Sequence, residues 1–272
     1  MITLDFRGQA ALVTGGTRGL GRAVAVELAR TGATVFVTHR WGATPEEEVA
    51  AAFTADGLPP PIVVECDASD AEATRALMET IKERAGTRLR VVVSNVAFSK
   101  VTKELGELKK SSLDLSLAYS AWPVVTLVQT AHEVLGAYPR YVIGVSGDGV
   151  DVCHDGYDMV GVSKAVLETL CRYLAVRLKR HGTRVNVIRP GAIDTASIGA
   201  TFGQDALQHV RGHVGEVLLD VRRVARTVVA LASGLLDSVT GQTLVVDEGW
   251  GLVSPLDYVM GRSDKFDFPE EE

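Results

Sequence analysis

AALVTGGTRGLGRAVAVELAR, Ala10 to Arg30, is the stretch whose reading decides the fold. Ala11, Leu12 and Val13 form a short apolar run that stops at Thr14. Beyond the glycines, Leu20, Val24 and Leu28 return at helical spacing, so the segment reads as strand, tight turn, helix. Gly15, Gly16, Gly19 and Gly21 occupy the turn, where backbone without a Cβ can take positive φ and come close to a ligand. A helix beginning there directs unpaired N–H groups and the positive end of its dipole over the loop, which favours a pyrophosphate. The spacing GxxxGxG differs from the commonest dinucleotide fingerprint, and a glycine-rich turn can also serve only to reverse the chain. Strand, turn and helix in this order near the N-terminus favour the nucleotide.

Outward from this unit, continuously apolar, valine-rich runs recur with helical patterns between them: Ala11 to Thr14, Thr34 to Thr38, Ile62 to Cys66, Arg90 to Ser94, Tyr141 to Val145, Arg184 to Ile188 and Thr243 to Val246. Runs of this kind are strands buried on both faces. The expectation is an α/β protein, a doubly wound Rossmann-type parallel sheet of about seven strands with helices on both faces and ligands at the strands' carboxyl ends. Residues 1–250 are expected to form one dinucleotide-binding domain, and residues 251–272 a C-terminal extension with a solvated end.

Composition narrows the function. With 46% hydrophobic and 23% charged residues the chain has a globular composition, and a net charge of −6 without a basic run argues against a nucleic-acid surface. No apolar stretch approaches a membrane span, Met1 to Gly8 makes a poor signal peptide, and Cys66, Cys153 and Cys171 lack CxxC spacing, so a cytoplasmic protein with reduced thiols and no metal is expected. His209 and His213, four apart, read as two ligands lacking a third or as a solvated helix face.

Candidate site residues gather at strand ends. After the second strand come His39 and Arg40, where an NAD-binding protein usually carries an acid for the ribose 2′-OH, and no acid follows until Glu46. Arg40 and Arg18 therefore favour the 2′-phosphate of NADPH, unless both are simply solvated. Asp67, followed by Ala68, is placed to accept from the adenine amino group, with Ser69 or Asp70 capping the next helix. Asn95 ends the fourth strand and can also merely tie a turn. Ser111 or Ser112 is expected to open a long helix running to about His132, kinked by Pro123. The fifth strand delivers Ser146 and Gly147; Tyr157 and Lys164 then lie on one face of a helix expected to run to His181.

Taken together, TGGTRGLG (Thr14 to Gly21), Asp67, SNVA (Ser94 to Ala97), the Tyr157/Lys164 pair, RPGAIDT (Arg189 to Thr195) and TGQTLVVDEG (Thr240 to Gly249) resemble the ordered motifs of the short-chain dehydrogenase/reductase family. Most members place the catalytic tyrosine four residues before the lysine, which here is Val160; YDMVGVSK instead resembles the Tyr-x6-Lys branch that contains bacterial enoyl-acyl-carrier-protein reductases. Ser116, Tyr119 and Ser120 resemble the serine-rich helix of those enzymes, and the usual catalytic serine position is Gly147, with Ser146 adjacent.

The resemblance implies a reductase of the C=C bond of an enoyl thioester or related conjugated carbonyl, with Tyr157, Lys164, Ser146 and Ser120 as the catalytic set. It implies cofactor contacts from Gly15, Thr17, Arg18, Gly19, Leu20, Gly21, His39, Arg40, Asp67, Ala68, Asn95, Lys164, Gly191, Ile193 and Thr195. The cationic Lys164 is expected to lower the phenol's pKa. An acyl substrate, free or on an acyl carrier protein, a homotetramer, and a reductase domain over residues 1–250 with a substrate lid near 196–220 follow by the same resemblance. A ketone or aldehyde reductase using a displaced Ser146, and a nucleotide-binding member without turnover, remain as alternatives.

Overall fold

In the computed structural model, residues 4–41, 44–98, 100–194, 199, 203–213 and 218–260 are described. Seven parallel strands form one sheet: β1 (Ala10–Val13), β2 (Thr34–His39), β3 (Ile62–Glu65), β4 (Leu89–Ser94), β5 (Tyr141–Val145), β6 (Arg184–Pro190) and β7 (Thr243–Val246), in the order β3-β2-β1-β4-β5-β6-β7. The order reverses between β1 and β4, which opens a crevice at their carboxyl ends. Every expected strand is present, with ends displaced by at most two residues.

Alternation along each strand assigns the two faces. Ala11, Val13, Val91 and Val93 face α1 (Gly19–Arg30), α2 (Glu46–Thr54) and the helix Val221–Ala232. Leu12, Phe36 and Val92 face α3 (Ala71–Ala85) and the helix Pro123–Leu135, while Val142, Val185 and Val187 pack on that helix and on the long helix Asp158–Leu178. The uniformly apolar reading predicts burial on both faces throughout. That holds for β1 and β5, but the edge strands β3 and β7 are only half-covered, and Val245 is 57% exposed. A strand at the sheet's edge has a neighbour on one side only.

The expected long helix from Ser111 or Ser112 through Pro123 is two helices, α4 (Lys110–Ser120) and α5 (Pro123–Leu135). Proline has no N–H to donate and its ring collides with the carbonyl four residues back; as the first residue of a new helix it meets neither difficulty. Ser111 and Ser112 lie within the first turn of α4, which Lys109 precedes without a side-chain cap. Asp70, rather than Ser69, caps α3, accepting from Glu72 N at 2.8 Å and Ala73 N at 3.3 Å. The helix begun by Tyr157 is α6 (Asp158–Leu178), which tightens into a 3-10 turn over Lys179–His181. Then come α7 (Gln204–His213), α8 (Val221–Ala232) and the short α9 (Pro255–Val259).

Thr195, residues 196–198, 200–202 and 214–217 of the expected lid, the side chain of His213 and the tail beyond residue 260 lie outside the described residues. Among those described, no helix is long and apolar enough to cross a membrane, and no three metal-ligating side chains gather.

Candidate active site

A cavity of about 630 Å³ lies in the crevice at the carboxyl ends of the strands. Its floor is the glycine loop, where Gly15 and Gly19 have φ of 63° and 55°, a region that residues with a Cβ seldom enter. A Cβ on Gly21 would stand 2.3 Å from the Gly15 carbonyl oxygen, so helix α1 can approach the loop only without one. Asn95 does more than tie a turn: its Nδ2 donates to the carbonyls of Thr14 (2.9 Å) and Gly15 (3.2 Å), and its own N–H to Thr14 Oγ1 (2.9 Å), bracing the loop from β4. Thr38 braces it from β2, its Oγ1 accepting from Gly15 N at 3.3 Å.

Gly15, Thr17, Arg18, Gly19, Leu20, Gly21, His39, Arg40, Asp67, Ala68, Asn95, Lys164, Gly191 and Ile193 all line this one cavity, from the glycine loop to the start of the segment after β6. The helix N-terminus begins after Arg18 without a side-chain cap, so its first N–H groups face the cavity as an anion cradle. His39 Nδ1 is buried with no hydrogen-bond partner among the described residues. A bare anion cradle, an unmatched polar atom and a cavity within the usual range for ligand sites together fit a dinucleotide.

At the end formed by β2 and β3, Arg40 is neither free nor simply solvated. Its guanidinium pairs with the Asp67 carboxylate and donates to the Tyr119 hydroxyl, which itself lies 3.4 Å from Asp67 Oδ2. Asp67 also accepts from Ser69 N (3.0 Å) and Ser69 Oγ (2.7 Å), so the carboxylate expected to serve adenine is already engaged. Burial would push the Asp67 carboxyl up, but the Ser69 hydrogen bonds and the Arg40 charge outweigh it and hold the group below its ordinary range. Trp41 and Phe98 complete this rim, and no sequence motif singles them out; Trp41 follows Arg40 directly, and its ring lies 4.1 Å from the guanidinium carbon.

At the opposite end, Tyr157 lines the cavity and Val160 does not. The Tyr157 ring lies against Gly149, where a Cβ would come within 2.5 Å of it, and a Cβ on Gly147 would stand 3.7 Å from the phenol oxygen. Lys164, 5% exposed, donates from Nζ to the Val145 carbonyl at 2.7 Å, and burial lowers its pKa to about 8. The expectation that Lys164 lowers the Tyr157 pKa is corrected: burial, and then the Asp148 carboxylate, push the phenol up. A phenol placed this way keeps its proton and acts as a hydrogen-bond donor. His154, for which the sequence pattern suggests no role, stands beside it with its ring edge-on at 5.6 Å and Nε2 3.1 Å from Asp148 Oδ2.

Of the other two members of the expected catalytic set, Ser146 lines the cavity with its hydroxyl already engaged, and Ser120 does not line it. Ser146 donates from Oγ to Glu168 Oε1 at 2.7 Å, joining a buried cluster in which Arg189 donates to both Glu168 oxygens (2.9 and 2.7 Å). Glu168 lies one helical turn beyond Lys164 and takes up the Ser146 hydroxyl. Ser120 both accepts from Phe98 N and donates to Phe98 O, each at 3.0 Å, and is absent from the cavity wall; the end of α4 uses it to hold the loop after β4.

Residues 15–251 match the family described as Enoyl-(Acyl carrier protein) reductase. The chain belongs to this family. It is an NAD(P)H-dependent oxidoreductase of the short-chain dehydrogenase/reductase type. It is similar to the 1-cyclohexenylcarbonyl-CoA reductase of Streptomyces collinus, at 32% identity over 92% of this chain and 89% of the relative. It is also similar to the NADH-dependent enoyl-acyl-carrier-protein reductase of Aquifex aeolicus, at 25% identity over 95% of both. Among solved structures, the Bacillus cereus enoyl-acyl carrier protein reductase crystallised with NADP+ and indole naphthyridinone superimposes with a TM-score of 0.78, at 26% identity, over 91% of this chain and 98% of that one.

Proposed function

We propose that this family member is an NADPH-dependent reductase of the C=C bond of an enoyl thioester or related conjugated carbonyl compound. The observation that carries the reading is the pairing of a protonated phenol, Tyr157, with a glycine at position 147, so that the hydroxyl of a carbonyl reductase is missing beside the donor. The Streptomyces relative, named for its action on a cyclohexenylcarbonyl-CoA, supports a conjugated thioester.

When bound, the nicotinamide supplies a hydride, which for a conjugated thioester goes to the β-carbon. Negative charge then develops on the thioester oxygen, and the Tyr157 O–H is the donor placed to meet it. Lys164 holds the nicotinamide ribose hydroxyls, and its buried position fixes the ammonium between the end of β5 and the phenol's helix. Gly15 to Gly21 would hold the pyrophosphate at the α1 N-terminus, Ile193 the carboxamide, and Arg18 and Arg40 the 2′-phosphate, with Gly191 a further cofactor contact. Residues 196–220 act as a substrate lid, an assignment supported by the bridge between Ile193 and Leu219 at its base. The acyl group arrives on coenzyme A or an acyl carrier protein.

A homo-oligomer, as a tetramer, completes the reading, supported by Val162, Tyr173 and Val176 exposed on α6 and by Leu115 and Trp122 around α4. Light scattering at micromolar concentration that gave only a 29.0 kDa monomer would contradict it. The chemistry is tested by NADPH oxidation against paired enoyl and ketoacyl thioesters of one chain length. Reduction of the enoyl partner is expected; turnover of the ketoacyl thioester alone would replace this assignment with carbonyl reduction.

A further inference from the structure

The cavity end formed by β2 and β3 holds a cation that is already matched. Arg40 pairs with Asp67 and donates to Tyr119, and the Tyr119 hydroxyl reaches Asp67 as well, so carboxylate, guanidinium and phenol close a ring of contacts. The three side chains come from the loop after β2, the end of β3 and helix α4, which lie far apart in sequence. The Trp41 ring, 4.1 Å from the guanidinium carbon and 5.2 Å from the Tyr119 ring, backs the arrangement and limits where Arg40 can swing. All four residues line the cavity.

A guanidinium paired with a carboxylate offers less to a second anion than an unpaired one. A phosphate approaching Arg40 must share it with Asp67 or take it from Asp67, and meets the carboxylate's own charge while doing so. We infer that Asp67 and Tyr119, by holding Arg40, set how strongly this cavity distinguishes a nucleotide bearing a 2′-phosphate from one without it. The inference rests on the reading of this end as the adenosine end of the cofactor site. Asp67 is then a selectivity residue acting against the phosphate, and Tyr119 a positioning residue that keeps Arg40 on the carboxylate.

The experiment is calorimetric titration of the full chain with 2′,5′-ADP and with 5′-AMP, reading the ratio of the two affinities. Any weakening of adenine binding by a substitution affects both ligands and divides out of the ratio. Asp67→Asn is expected to raise the preference for 2′,5′-ADP about tenfold, the scale of one charge-assisted contact that no longer competes for the Arg40 guanidinium. Tyr119→Phe is expected to raise it in the same direction by about two- to threefold, the scale of one part-exposed hydrogen bond from Arg40 that water partly replaces. In an Arg40→Ala background the gain from Asp67→Asn is expected to shrink to about twofold, because no guanidinium remains to be released. An unchanged ratio in Asp67→Asn, a ratio that falls in Tyr119→Phe, or an Asp67→Asn gain that persists in full without Arg40 would each overturn the proposal. If the unmodified protein prefers 5′-AMP, the NADPH assignment falls, while the change on Asp67→Asn still decides whether Asp67 competes for Arg40.

Discussion

Replacing Lys164 by methionine changes how the stability of this protein depends on pH. Lys164 is buried in α6 and donates to the Val145 carbonyl, and its pKa falls from an ordinary 10.5 to about 8 because the ammonium is taken out of water. Below pH 8 the group is charged in the folded and the unfolded chain alike, and burial of that charge weakens the fold in full. Between pH 8 and 10.5 the unfolded chain holds a proton that the folded chain has lost, so stability rises with pH. The interval of about 2.5 units corresponds to about 3 kcal/mol. Methionine fills nearly the same volume without the charge and loses the bond to Val145, a constant offset. Urea unfolding of both cofactor-free proteins from pH 7 to 10.5 isolates the difference, because Cys66 and Cys171, displaced to about 11 and 12, are common to both. The unmodified protein is expected to gain about 3 kcal/mol on the variant across this range. A pH-independent difference would show that the Lys164 ammonium is not desolvated and would refute the reasoning.

Tyr157→Phe keeps the ring on Gly149 and deletes the donor; turnover should fall by about 10² or more while NADPH binding, followed by fluorescence, stays nearly unchanged, and a drop in affinity as large as the drop in rate would count against an oxyanion role. Glu168→Gln breaks a buried pair in which Arg189 keeps Asp151 as its remaining partner, so the expected loss of stability is about 3 kcal/mol, read from the urea midpoint; a loss below about 1 kcal/mol would mean that the cluster is solvated. Asp70→Ala should cost about 1 kcal/mol through the cap of α3, with Ser69→Ala as the comparison that leaves the cap in place.

The order of elements, the parallel sheet and the glycine loop were legible in the chain because they rest on local periodicity and on glycine's freedom, which are properties of neighbouring residues. The shift from Val160 to Tyr157 was legible for the same reason: helix geometry converts a spacing into a face. Where partners come from distant segments the sequence was silent or misleading. Ser146 and Ser120 look like available hydroxyls until the fold brings Glu168 to one and the Phe98 backbone to the other. The upward displacement of the Tyr157 phenol comes from burial and from Asp148, neither of which follows from its distance along the chain to Lys164. Arg40 announces a cation after β2, but only the packing of α4 and the end of β3 decides that the cation is matched. By itself the sequence determined which elements form and which residue types reach the crevice. The tertiary structure decided which hydroxyls and charges are already engaged there, because hydrogen bonding and desolvation depend on contacts across the fold rather than along the chain.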